Sequence, residues 1–368
     1  MRFWFLLIGI FFVSAGQVGA EETYRIAVAG NTLSSLSKAA FNTVELIADE
    51  YNNTVNPVKL EAVFIDENEE NVKDAINNQG NLLGVIGCFG DEHKDAFENI
   101  KDAPMISICS QCSRFTAADG DNKFRITASD IELARIQARI DYAVFGHRKF
   151  ACIYEEDNEE YLKIGEAYVE TIKANNGQIP YFRSIKPERD DFKPILIRLR
   201  ELKVKVIFFV GSMENAAEMA KQSRKLNVGA VFSSTNVIFD RRFIKKARTG
   251  SEGAEFVTRT PPSLYRYVKK LRPFMSRYRK RYKTVNNYIP YVYEAAVILV
   301  DALEKGKTGK HDVKDYLKET EFEGVLGKIA FDESGERKDP KFYFYVIRGR
   351  EFLPMSSRTY MNKYMTAK

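Results

Sequence analysis

Five short apolar runs punctuate the chain: Tyr24–Ala29, Leu82–Cys88, Pro104–Cys109, Phe150–Tyr154 and Val204–Gly211. Each opens into a small-residue or polar loop and then into a segment of helical period. Continuous apolar runs of this length suit strands buried on both faces, the condition of a parallel sheet covered by helices. Val58–Ile65, Ile179–Ile185 and Ala230–Phe232 read as further strands. Helices are predicted over Leu36–Tyr51, which carries Phe41, Val44, Ile47 and Ala48 on one face, and over Glu67–Asn78, Glu92–Ile100, Ile131–Phe145, Tyr161–Asn175, Phe192–Leu202 and Glu214–Leu226. The returns are long enough for parallel crossovers rather than hairpins. The pattern therefore predicts a doubly wound α/β architecture, in which ligands bind in the crevice at the carboxyl ends of the strands.

Residues 1–20 have the physical features of a secretion leader. Arg2 supplies the positive start, Phe3–Val13 is apolar apart from Gly9, and Val18-Gly19-Ala20 offers small side chains for cleavage. No later segment is long and apolar enough for a membrane span, so a secreted chain without a direct span is expected after leader removal. Even without the leader, the remaining 348 of the 368 residues exceed what one core usually serves, which predicts two lobes. No Gly-, Ser- or Pro-rich linker separates the two sets of strands. The chain is expected to cross between lobes through ordered segments near Ala118–Phe124, Val257–Pro262 and Phe322–Ile329. The expected lobes are 21–121 plus 260–324 and 122–259 plus 325–368.

A formal charge of +6 is too mild to imply nucleic acid. The basic run between Arg266 and Lys283 interleaves aromatic residues, and a helix there would bury Tyr267, Leu271, Phe274, Tyr278 and Tyr282 while leaving its Lys and Arg in water. The 4 cysteines permit a disulfide in an oxidising compartment, with the pairing open. Cys152 sits inside an apolar run and reads as a small buried hydrophobe. Cys109-Ser-Gln-Cys112 has redox spacing, but C-x-x-C alone does not make an oxidoreductase. Cys88, His93, Cys109 and Cys112 are chemically suited to zinc or copper(I), yet match no standard zinc spacing, and His93 stands among charged residues. Neither a metal nor another cofactor is expected. The 3 histidines have no companion serine elbow, and there is no phosphate loop, so no catalytic residues are assigned.

Pro290–Lys305 followed by FEGVLGKIAFDESGER at Phe322–Arg337 resembles the carboxyl-terminal signature of type I periplasmic solute-binding proteins, the leucine/isoleucine/valine-binding branch that feeds ABC importers. The order Ile26-Ala-Val-Ala-Gly30, Gly84-Val-Ile-Gly87, Ala103-Pro-Met-Ile-Ser107 and Phe124-Arg125 agrees with it. The resemblance implies two Rossmann-like lobes joined by three crossing segments, hinge closure on a small solute, a periplasmic location and an ABC permease partner in the inner membrane. It also implies ligand-facing positions: Asn31 and Ser34 after the first strand, Phe89 and Asp91 in the next loop, Ser110 and Gln111 in the following one, and Tyr161, Ser212 and Thr235 in the carboxyl lobe. Where an acidic partner for an amino-acid ammonium is expected, the chain reads Ser233-Ser-Thr-Asn236. A buried ammonium without a counter-charge is costly, so unless Asp91 or Glu156 replaces that partner from another loop, the expected ligand is not a standard branched-chain amino acid but a neutral or aromatic solute. An extracellular sensing domain and a thiol or metal carrier are the alternatives.

Overall fold

The computed structural model describes residues 22–68, 71–89, 97, 100, 102–108, 114–117, 121–145, 148–187, 189–260 and 269–355. The amino-terminal sheet contains β1 (Thr23–Gly30), β2 (Lys59–Asp66), β3 (Leu82–Gly87), β4 (Met105–Ser107) and β5 (Lys123–Arg125). All are parallel, in the order β2-β1-β3-β4-β5. The next five strands, β6 (Lys149–Glu155), β7 (Gln178–Ile185), β8 (Val206–Val210), β9 (Val231–Ser234) and β10 (Glu255–Thr258), repeat that winding as β7-β6-β8-β9-β10. After a hairpin of β11 (Phe322–Gly324) and β12 (Gly327–Ile329), the chain adds β13 (Tyr343–Arg348) antiparallel to β10 and β14 (Glu351–Met355) antiparallel to β13. β3 and β8 are buried along their whole length, as their unbroken apolar runs require.

The helices are α1 (Ser35–Asn52), α2 (Val72–Asn77), α3 (Arg114–Ala117), α4 (Asp130–Phe145), α5 (Glu159–Ala174), α6 (Lys193–Glu201), α7 (Met213–Lys225), α8 (Arg241–Ala247), α9 (Arg272–Arg281), α10 (Ile289–Glu304) and α11 (Lys310–Glu319). Several starts are fixed by side-chain caps: Ser34, Asn158, Ser212 and Asp240 each accept a backbone N–H from the first turn they precede. The helix expected from Glu67 begins only at Val72, because the Asp66 carboxylate accepts the Asn68 N–H and holds 66–68 in a turn. α1 and α10 pack against the first sheet through Val44, Ile47, Ala295 and Leu299, which meet Ile26, Val28 and Ile86. A second core gathers Ile153, Ile207, Phe209, Leu196, Ala216 and Phe243.

Two expectations are corrected. The crossing placed at Phe322–Ile329 is the β11–β12 hairpin, whose Phe322, Leu326 and Ile329 pack into the first core. The two-residue connection through Val325 and Leu326, with Gly327 at φ +110°, lets the chain turn back there. The chain instead reaches the second sheet through 332–342. In the basic run, Leu271, Phe274 and Tyr278 are buried as expected, and Tyr267 lies outside the described residues. Its arginines, however, are not simply solvated. Arg277 pairs with Glu50 and Arg281 with Asp49, while the Tyr282 hydroxyl donates to Glu45 at 2.5 Å. The acidic stripe of α1 thus neutralises part of α9.

The second lobe holds a buried polar cluster on α4. Asp141 accepts from Gln137 Nε2 and from the Tyr168 hydroxyl, both at 2.7 Å, and also shares a hydrogen bond with Glu255. Cys152 lies close enough to this cluster to perturb Tyr168. Its thiol is free and fully buried, and burial pushes its pKa up. Burial raises the Asp141 pKa to about 6, against the opposing pull of Glu255, Tyr168 and Gln137. The ordinary aspartate value, about 4, governs the unfolded chain. Between these values the folded protein binds more protons than the unfolded one, so this group's contribution to stability falls as pH rises from about 4 to about 6 and then levels. Chemical denaturation of the wild type and Asp141→Asn across that range is expected to show a pH-dependent difference of up to about 3 kcal/mol. Parallel curves would contradict it.

Candidate functional site at the two switch points

Each sheet has the strand order that reverses direction beside its first strand, and the crevice at that reversal is the usual ligand position. In the first lobe it lies between the carboxyl ends of β1 and β3; in the second, between those of β6 and β8. The strands nearest the connection between the sheets end in charge. β5 ends on Arg125 and β10 is followed directly by Arg259, and the two guanidinium charges lie close enough to perturb one another. Burial lowers the Arg125 pKa, Glu336 opposes that, and Arg259 lowers it further.

The strands reach between lobes beside these arginines. Arg259 is fully buried, pairs with Asp130, and donates from Nε to the Ala128 carbonyl at 2.9 Å. Arg125 Nε contacts Glu336 at 3.0 Å, and the same carboxylate oxygen accepts from the Thr116 hydroxyl. Arg337 Nη1 bonds Glu294 at 2.8 Å and the Ile126 carbonyl at 3.2 Å, while its Nη2 holds the Lys328 carbonyl at 2.8 Å. Each of the three crossings therefore carries a buried arginine that ties it to another segment. Gly335 closes the arrangement: its N–H and C=O bond Asp332 and Arg125, and a Cβ would lie 1.9 Å from the Lys123 carbonyl oxygen.

The expected ligand-facing residues fall at these edges, but several of their polar groups serve the fold. The Asn31 carbonyl oxygen of the side chain accepts the Leu33 N–H, and the Ser34 hydroxyl oxygen accepts from Leu36 and Ser37 as the α1 cap. Phe89 adopts φ 44° and is 5 % exposed. Its ring stacks on Phe115 at 5.1 Å and meets Phe97 edge-on at 4.8 Å, so it faces the core beneath the loop. Tyr161, on the first turn of α5, is half-buried against the second-lobe core. Thr235 is half-buried after β9 and makes no capping bond with its side chain. Asp91, Ser110 and Gln111 lie outside the described residues, as do His93, Cys109 and Cys112. Cys88 is disulfide-bonded, which takes one thiolate from the four-residue metal-binding set. Among the described residues no group of three or more His, Cys, Asp or Glu is arranged to hold a metal.

Ser212 reveals the residue that the sequence reading missed. Its hydroxyl donates to Glu155 Oε1 at 2.6 Å while accepting the Asn215 N–H, and Asn215 Nδ2 reaches the same Glu155 oxygen at 2.7 Å. Glu155 is 2 % exposed, at the second-lobe switch point and before the amino end of α7, where a negative charge is favoured. Gly211 makes room for it, since a Cβ there would lie 2.6 Å from the carboxyl carbon. Within Glu155-Glu-Asp-Asn-Glu-Glu160 the sequence shows six polar residues that look alike. Only the position of Glu155 as the last residue of an apolar strand marks it as different. Glu156, by contrast, accepts from Ser184 on the exposed side.

The family described as periplasmic binding protein matches residues 28–351. The Leu/Ile/Val-binding protein of Escherichia coli (strain K12) is 19 % identical over 239 residues, covering 65 % of this chain and 64 % of that protein, just under two thirds of its length. An ABC transporter substrate-binding protein from Desulfitobacterium hafniense, solved with Leu, superposes with TM-score 0.72 at 21 % identity, over 91 % of this chain and 100 % of that one. A solute-binding protein of an ABC transporter from Rhodopseudomonas palustris BisB5, solved with 3,4-dihydroxybenzoic acid, gives TM-score 0.66 at 16 % identity, over 91 % and 97 %. These likenesses establish the two-lobed fold. The chain belongs to the periplasmic binding protein family.

Proposed function

We propose that this protein is a solute receptor that closes its two lobes on one small molecule and presents it to an ABC permease in the inner membrane. The observation that carries the reading is the family match over 28–351, supported by a switch point in each sheet and by buried arginines on the segments that connect them. The proposed lobes are 22–126 plus 269–331 and 127–260 plus 332–355, a division that sheet pairing and core membership support. Among the described residues no helix is long and apolar enough to cross a membrane, which fits a periplasmic receptor released from its leader. The reading involves no chemical conversion of the solute.

The solute is neutral or aromatic rather than a branched-chain amino acid. Of the two buried carboxylates described at the second-lobe edge, Asp130 is neutralised by Arg259, while one oxygen of Glu155 is held by the neutral donors of Ser212 and Asn215. An ammonium seated against Asp130 would compete with Arg259, and one at Glu155 would have to displace or share the Ser212 and Asn215 bonds that hold that carboxylate. Relatives of this fold solved with Leu and with 3,4-dihydroxybenzoic acid make both solute classes reasonable probes. Calorimetric titration of ligand-free protein with leucine, isoleucine and valine is expected to give no tight, selective binding. Submicromolar affinity for any of the three would sink this assignment of the solute.

A further inference from the structure

On the face that α4 turns toward the second sheet, Asp130, Ala134 and Gln137 follow one another at helical spacing. Opposite them lie Ser234, Thr235 and Asn236 at the carboxyl end of β9. Together they line a recess with space for one water-sized group. Gln137 is 1 % exposed and commits its Nε2 to Asp141, yet its Oε1 is buried with no hydrogen-bond partner. Ser234 donates its hydroxyl proton to the Phe209 carbonyl at 2.8 Å, leaving its oxygen able to accept. Asp130 can only accept when ionised, and its negative charge is met by Arg259. Gln137 Oε1 is therefore an unpartnered acceptor in this recess, beside an Asp130 whose charge is neutralised.

We propose that this recess is a specificity subsite that takes one uncharged hydrogen-bond donor of the bound solute, a hydroxyl group, with the Gln137 side-chain carbonyl as its acceptor. The proposal rests on the receptor reading above and deepens it. In the free protein a water fills the subsite; on lobe closure the solute hydroxyl replaces it. A solute lacking that hydroxyl leaves Gln137 Oε1 unsatisfied or traps the water, and either weakens binding.

The test joins calorimetry with crystal structures of the full chain, free and bound. The probes are three pairs that differ by a donor group: 4-hydroxybenzoate and benzoate, 3,4-dihydroxybenzoate and 4-hydroxybenzoate, and 2-hydroxy-4-methylpentanoate and 4-methylpentanoate, with leucine as the amino counterpart of the last pair. For a pair that binds, the hydroxylated member is expected to bind about tenfold tighter, its oxygen replacing the water beside Gln137. Gln137→Met should abolish that ratio, and Gln137→Glu, which keeps an acceptor, should retain the preference. Circular dichroism checks that both variants fold. Equal affinities within a binding pair, a water that stays beside Gln137 in the complex, or preference for leucine over the hydroxy acid would each overturn the subsite and leave the receptor reading standing. No binding by any probe, together with no small molecule retained on purification, would overturn the receptor reading and the subsite with it.

Discussion

Arg337→Met is expected to lower stability by about 3–5 kcal/mol, among the largest effects of any single substitution in this chain. Both side chains of the Arg337–Glu294 pair are fully buried, and the wild-type carboxylate also accepts the Leu326 N–H at 2.7 Å. Burial raises the Glu294 pKa, and Arg337 is the main group holding it down. Without that guanidinium, Glu294 is left as an unpaired buried charge, and the Ile126 and Lys328 carbonyls lose their donor as well. Glu294 then takes up a proton more readily in the folded than in the unfolded state. The variant should accordingly be more stable in mild acid than at neutral pH, losing stability as pH rises through the raised carboxyl pKa. Glu294→Met combined with Arg337→Met removes both charges and should recover much of the loss. Denaturant unfolding of both variants, at pH 5 and pH 7.5, measures this. A single-variant loss below about 1 kcal/mol would mean that the pair behaves like a surface bridge.

Gly335→Ala is expected to be the second large effect, at about 2–5 kcal/mol. The residue holds φ +81°, which an L side chain resists, and its missing Cβ is what lets the third crossing lie against β5. The adjacent backbone has no flexible side chain to move aside, because the obstruction is the Lys123 carbonyl itself. Gly349→Ala separates the two causes. It too has positive φ, +54°, but a Cβ there meets nothing within 4 Å. The control should therefore lose only the backbone share, about 1–2 kcal/mol. Unfolding midpoints for the two variants compare them directly; equal losses would show that close approach at the hinge contributes nothing.

Much of the fold was legible because its strands are buried on both faces and so appear as plain apolar runs. The boundaries of β1, β6 and α4 fall within a residue of expectation for this reason. What the sequence concealed is its buried charge. Nothing in residue type sets Arg125, Arg259 and Arg337 apart from the exposed positions that most arginines occupy. Their partners Glu336, Asp130 and Glu294 lie 211, 129 and 43 positions away, beyond the reach of any local pattern. Glu155 was hidden similarly, inside an acidic run whose other members face water. The same limit affected the candidate site. Residue type placed Ser34 and Ser212 at the crevice, but only geometry shows that their oxygens serve helix starts.

The central claim is that the crevice between the lobes holds one small solute that is not a branched-chain amino acid. Native mass spectrometry of the gently purified protein tests it most directly, with the retained molecule released by denaturation and identified. The account predicts one neutral or aromatic molecule per chain, bearing a hydroxyl and no free α-ammonium group. Stoichiometric leucine, isoleucine or valine would contradict it.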